Sequence, residues 1–278
     1  MTNFTDSNGK VIGKGIGIFT VDYKELSKSK YIEGIIEGVE KFRTNESRNI
    51  ILDNLDLLEL KDIEYIENKT KLKVLDGKKT MIYFMPSVLK EFYSRLESNL
   101  TDKEILIISD DSFLTYDLIR NLSGEVRFLT VTGEDEKWIE DISYKIYDTT
   151  GLSIFYTKNI DRILKKYDII INLSEYILVN IDKLRGNVIV FDLSFENILT
   201  QEAKKINSKI LVVEDFLFEY ERLVSGKQFF HEKKEIPSHK YEVFDKKSMK
   251  DFKKVLVNGN SYTLEDLINN RIKKKVKF

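Results

Sequence analysis

Six short apolar runs between residues 104 and 215 constrain this chain more than any other feature. They are "EILIIS" (104–109), "EVRFLTV" (125–131), "LSIFYT" (152–157), "DIIINL" (168–173), "NVIVFDL" (187–193) and "KILVVED" (209–215). Most are nearly continuous in Ile, Val and Leu, as strands buried on both faces must be. Amphipathic stretches separate them. "SFLTYDLIRNL" places Phe113, Leu114, Leu118, Ile119 and Leu122 on one helical face, and "EDEKWIEDISYKIYD" does the same with Trp138, Ile142 and Ile146. Strands alternating with crossovers predict an α/β fold: a doubly wound, mostly parallel six-stranded sheet, Rossmann-like, in the order 3-2-1-4-5-6.

The remaining sequence divides around this core. Residues 1–100 are expected to form a smaller N-terminal α/β domain, 101–217 the Rossmann-like domain, and 218–278 a C-terminal extension with a hairpin and a helix. In the first part, "GIGIFTV" (15–21) and "NIILDN" (49–54) suggest strands, and "KLKVLDGKKTMIYFM" suggests a hairpin turning at Asp76-Gly77. Pro86 suits the first turn of a following helix. "NLTDK" (99–103) reads as the linker. In the last part "VLVNGNSYT" gives a hairpin turning at Asn258-Gly259, before a capped helix and the basic tail "RIKKKVKF".

The turn after the first central strand carries Ser109, Asp110, Asp111 and Ser112. A dinucleotide-binding fold places glycines there, so that backbone and helix N-terminus approach a pyrophosphate. Two carboxylates instead repel such an anion, and the extra Cβ atoms stand in its path. The simpler reading is that Asp110 or Asp111 caps the helix with help from Ser112; the functional one is a cleft for a cation or metal at the strand ends. A phospho-receiver domain also pairs acids here, but it needs an aspartate where this chain has Asn172 and a lysine where it has Glu214-Asp215.

The segment "DIIINLSE…KLRGNVIVFDLS" resembles the nicotinamide-dinucleotide domain of the shikimate dehydrogenase and glutamyl-tRNA reductase type, over roughly residues 103–215. The resemblance implies NAD(P) as cofactor, with the turn Asn172, Ser174, Glu175 lying against it. It also implies that Thr132 and Glu134, after the second strand, meet the adenosine ribose, where an acid favours an unphosphorylated sugar. Asp192 and Ser194 end the neighbouring strand at the same crevice edge. The family's catalytic Lys-Asp pair has no counterpart that can be transferred, and the acidic first turn disfavours NAD(P) itself.

Lys plus Arg number 45 against 46 Asp plus Glu, so no global field favours nucleic acid or an anionic membrane. Without cysteine, disulfides and thiolate chemistry are excluded, which suits a cytoplasmic protein. No apolar run approaches the length of a membrane span. Glycines 13, 15 and 17 lead into a strand and so fail as a phosphate loop. His231 and His239 are read as solvated loop residues and the tail lysines as partners of a helix C-terminus. The expected function is that of a Rossmann-like protein that has lost its phosphate loop, binding a non-classical small ligand or acting in assembly. The alternative is an NAD(P)-dependent oxidoreductase with an atypical first loop and its substrate between domains. Partners are then a small molecule, a protein or a second copy of the chain.

Overall fold

The computed structural model describes residues 2–5, 11–17, 27–177, 179–206, 208–219, 224–225, 235–244 and 246–269. In chain order the elements are β1 (Thr2–Thr5), β2 (Val11–Gly15), α1 (Lys28–Phe42), β3 (Asn49–Ile50), α2 (Leu60–Thr70), β4 (Lys73–Val74), α3 (Lys78–Arg95) and β5 (Glu104–Ile108). There follow α4 (Ser112–Leu122), β6 (Phe128–Thr132), α5 (Glu136–Thr150), β7 (Ile154–Tyr156), β8 (Ile169–Asn172), β9 (Ile189–Asp192), α6 (Ile198–Lys205) and β10 (Leu211–Glu219). The last are β11 (Val224–Ser225), β12 (Glu235–Pro237), α7 (Ser238–Tyr241), β13 (Phe252–Val257), β14 (Asn260–Tyr262) and α8 (Leu264–Leu267).

The chain is α/β with a mostly parallel central sheet. Its strands run β14-β13-β10-β9-β8-β5-β6-β7, and β12 pairs with β10 outside that path. β10 through β7 are mutually parallel; β12, β13 and β14 join antiparallel. The expected six-stranded sheet is therefore nine-stranded. The reason lies in β10, which at nine residues outruns β9: β13 pairs along one edge, and β12 takes the opposite edge at Leu217–Glu219, beyond the residues paired with β9, so that the strand runs through residues 217 and 218.

Pleating sorts the core into two layers. Ile105, Ile107, Ile169, Ile171 and Phe191 face α3, α4 and α5, whereas Leu106, Ile108, Ile170 and Val190 face Leu164, Tyr167, Leu199 and Ala203. This two-sided burial is why the runs lack alternation. Phe113 departs from the expected helical face: it lies on the outer side of the first turn of α4 and is 85% exposed. A third cluster, around Ile35, Ile50, Ile66 and Val74, holds α1 and α2 together.

Two expectations for residues 71–95 are corrected. "KVLDGKKTMIYFM" is no hairpin: β4 pairs parallel with β3, and Gly77, at φ +88°, opens α3 at once. The apolar residues Met81, Met85, Val88, Leu89 and Phe92 keep helical spacing through the supposed second strand and bury in the central core. Pro86 accordingly lies inside α3. It removes the donor due to the Ile82 carbonyl, and Asn121 Nδ2 on α4 approaches that oxygen at 3.5 Å. The strand expected at 49–54 pairs only over Asn49–Ile50. Most of the strand expected at 15–21, His231 and the basic tail lie outside the described residues.

Gly77 is fixed twice over. Its φ disfavours any side chain, and a Cβ built there would stand 2.0 Å from Ser238 Oγ and 2.7 Å from the His239 nitrogen. Gly77→Ala is expected to lower stability by about 2 kcal/mol or more, read as a fall in the urea midpoint at unchanged slope. A variant as stable as the parent would show that α3 and α7 do not pack this closely in solution.

Candidate functional site

The carboxyl ends of β5 and β8 flank the place where strand order reverses, the usual ligand crevice of such sheets. Ser109 is fully buried, and its Oγ accepts from Asp111 N at 3.1 Å. Thr115 Oγ1 is 2.6 Å from both Ser109 Oγ and the Asp111 carbonyl. Asp111 caps α4, its Oδ1 accepting from Leu114 N at 2.9 Å, and Ser112 is the first helical residue. Asp110 does something else. Its Oδ2 accepts from Ser174 Oγ at 2.7 Å and from Glu175 N at 3.2 Å, tying the turn after β5 to the turn after β8.

Thr132 is buried at the end of β6, and its carbonyl accepts from Ser109 N at 3.0 Å. Gly133 follows so closely that a Cβ there would lie 2.5 Å from the Ser109 carbonyl. Glu134 is exposed, and its neighbour Asp135 caps α5.

Asn172, Ser174, Asp192 and Ser194 meet as one buried network. Asn172 Nδ2 donates to Asp192 Oδ1 at 3.0 Å and to the Ser174 carbonyl at 3.1 Å. Ser194 Oγ also donates to Asp192 Oδ1, at 2.7 Å, while Asp192 Oδ2 accepts from Thr200 N at 2.9 Å. Ser194 Oγ in turn accepts from Ile198 N at 2.9 Å. These two side chains satisfy the start of α6, whose own N-cap Asn197 makes no side-chain bond. The four residues thus form the floor of the crevice.

From Glu175 the site crosses to the wall formed by residues 53–81. Glu175 Oε1 accepts from Phe195 N at 2.7 Å and pairs with Lys78 Nζ at 2.6 Å, with Asp76 3.9 Å from the same ammonium. Burial pulls Lys78 down, but the charges of Glu175 and Asp76 outweigh it and hold the ammonium above its ordinary value.

Beyond this pair opens a cleft of ≈ 970 Å³, bounded by Asp53, Asp76 and Lys78 on one side and by Asp192, Glu214 and Asp215 on the other. Glu214 and Asp215 are consecutive in β10 and would normally face opposite sides of the sheet. A bulge against β13 between Val213 and Asp215 accompanies their joint presence in the lining. Glu214 Oε2 accepts from Gly259 N at 3.0 Å, and Asp215 Oδ1 from Phe216 N at 2.7 Å.

His239, expected in a solvated loop, belongs instead to α7 and lines this cleft, its Nε2 3.2 Å from the Leu52 carbonyl. Sequence reasoning missed Lys78 and Asp76 because "LDGKK" was assigned to a hairpin. Glu214-Asp215 entered it only as the residues standing where a phospho-receiver domain needs a lysine, although acids closing the last parallel strand were a usable signal. Among the described residues no group of three or more His, Asp or Glu is placed to hold a metal ion, and no helix is long and apolar enough to cross a membrane.

No family model and no curated protein matches the chain. Several solved structures are similar to it. L-tryptophan dehydrogenase from Nostoc punctiforme is 16% identical, covering 69% of this chain and 55% of that one, at a TM-score of 0.35. A dipicolinate synthase chain from Bacillus halodurans is 14% identical, covering 68% and 60%, at 0.37. Delta(1)-pyrroline-2-carboxylate reductase from Thermococcus litoralis, solved with NADH and L-proline, is 14% identical, covering 41% and 35%, at 0.32. The chain thus spans between 35% and 60% of the length of these proteins. Likeness of this size transfers no activity.

Two cleft groups titrate in opposite senses. Burial raises Asp215 from 3.8 to about 6, so its charge costs stability above pH 6 and the cost is relieved as pH falls towards 4. Burial lowers His239 from 6.5 to about 4, so its contribution is complete above pH 6.5 and is lost as pH falls towards 4. Asp215→Asn keeps an acceptor oxygen and removes the charge. It is expected to be more stable than the parent by up to about 3 kcal/mol near pH 8, with the difference vanishing near pH 4, by urea denaturation. A variant less stable at every pH would show that Asp215 is not held as a buried charge.

Proposed function

We propose that this chain is a Rossmann-like small-ligand-binding protein in which the dinucleotide phosphate seat is closed and the ligand lies in the adjoining acid-lined cleft. The observation that carries this reading is the Asp110 carboxylate. It spans from the first turn to Ser174 and Glu175, taking donors at the crevice and adding negative charge where a pyrophosphate would sit. Asp111 consumes a further N–H of α4. The cleft beside it has the volume usual for small-molecule sites, and it draws its walls from residues 1–100, 101–217 and 218–278, the three parts taken as domains.

The second reading, an NAD(P)-dependent oxidoreductase with an atypical first loop, draws on one observation: strand order reverses between β5 and β8, at the crevice. In that reading Asn172 to Glu175 would face the nicotinamide, and Lys78 would be the proton-carrying group nearest that turn.

Titration with NADH and with NADPH, following ligand fluorescence and melting temperature together, separates the two. The expected result is no response to either at about 1 mM, since a hundredfold excess over the dissociation constant would add ~2.7 kcal/mol of stability. Micromolar binding of either cofactor would overturn the proposal and establish the oxidoreductase reading as the one to pursue.

A further inference from the structure

A parallel sheet is normally covered on both faces, and part of one face here is not. The crossovers that follow β5 and β6 each hold a helix, α4 and α5, packed on one side of the sheet. The crossover from β7 to β8 spans residues 157–168 and holds only a short 3₁₀ turn, Leu164–Lys166. On the other side Leu164 and Tyr167 cover Leu106, Ile108 and Ile170 of β5 and β8. Towards β6 and β7 that cover thins out, leaving Phe128 and Phe155 49% and 59% exposed.

Register places both rings on this open face. Thr130 pairs with Leu106 on one side and with Phe155 on the other. Phe128, two residues before Thr130, therefore points the same way. Strand spacing and rise set the two side chains about 8 Å apart, a step that neighbouring nucleotides of an extended strand can span.

The surroundings are basic. Residues 158–166, "KNIDRILKK", carry four bases and one acid. Lys166 Nζ lies 5.7 Å from the centre of the Phe155 ring and 5.1 Å from that of Tyr167. The neighbouring acids are already engaged: Glu104 with Lys166 at 3.7 Å, Asp161 with Lys183 at 2.7 Å and Glu136 with Lys158 at 3.1 Å. Arg162 and Lys165 are exposed and make no ion pair among the described residues; the same holds for Arg127, next to Phe128.

We propose that this face binds single-stranded nucleic acid, with bases stacked on Phe128 and Phe155 and phosphates met by Arg162, Lys165 and Lys166. Exposed aromatic rings flanked by unpaired cations are what sequence-tolerant binding of a single strand requires. A second copy of the chain fits worse, because a symmetric contact would set this basic surface against itself. A duplex keeps the ring faces of its bases covered. The near-neutral total charge is no obstacle, since the attraction is local and falls off within about 10 Å at ordinary salt. The inference is independent of the cleft ligand, whose site lies against β9 and β10, towards the other end of the sheet order.

The test is fluorescence anisotropy with a labelled oligouridylate of about twelve nucleotides, against a duplex of equal length, polyglutamate and phosphatidylserine vesicles. Saturable binding of the single strand is expected, with a log-log salt slope of about −2, as three phosphate contacts give. Phe155→Ala and Phe128→Ala should each weaken it by about fivefold or more. Both positions are half-exposed or more, so the variants should keep the parent melting temperature. Arg162→Gln with Lys165→Gln should flatten the salt slope by about 1.4.

Loss of affinity in these variants assigns the binding to this face, whereas affinity that they leave unchanged would overturn the proposal and point to the basic tail. It would equally be overturned by absence of single-strand binding, by duplex or polyglutamate binding as tight as the oligouridylate, or by vesicle binding that depends on the same residues.

Discussion

Where strands of a parallel sheet end in buried polar side chains, each such group is costly unless it is hydrogen-bonded. Here that requirement falls on Asp192. One of its oxygens takes hydrogens from Asn172 and Ser194, and the other takes the Thr200 N–H at the start of α6. The carboxylate therefore joins two adjacent strands and the helix that follows. The floor it forms fixes where Ser174 and Glu175 stand. Through Asp110 and Lys78 those residues then set the distance between the first turn of the sheet and the wall formed by residues 53–81.

The central strands were legible because a strand buried on both faces has an apolar signature that hardly depends on its neighbours. The helix at 78–95 was less so. "KVLDGKK" contains a strong turn signal, Asp-Gly, and local chemistry cannot tell a hairpin turn from a helix start when Gly77 supplies a positive φ to either. Pro86 compounded the difficulty, since only a neighbouring helix, through Asn121, supplies a donor for the carbonyl it strands. The width of the sheet was hidden for a related reason. The pairing of β13 with β10 is set by contacts between residues about forty positions apart, which no local period records.

At the site, the individual residues were more visible than their roles. Ser109, Asn172, Ser174, Asp192 and Ser194 stood out as polar residues closing apolar runs, and the structure gathers them at the ends of β5, β8 and β9. That Asn172, Ser174, Asp192 and Ser194 bond to one another, while Ser109 bonds within its own turn to Asp111 and Thr115, follows from burial, which a sequence does not state. Asp110 and Asp111 look interchangeable in the chain yet have different tasks, one linking two turns and the other capping a helix. Lys78 and His239 join the cleft only because α3 and α7 abut at Gly77.

The two outermost strands along the sheet path, β7 and β14, are each three residues long. A foreign strand docking on either would find few free backbone groups before the ladder ends, too few to fix a register. At one of these margins Lys166 sits 5.7 Å from the centre of the Phe155 ring, placing a hydrated charge beside the exposed aromatic. Among the described residues the sheet's path thus ends at both sides in a short margin, which gives edge-to-edge stacking little backbone to build on.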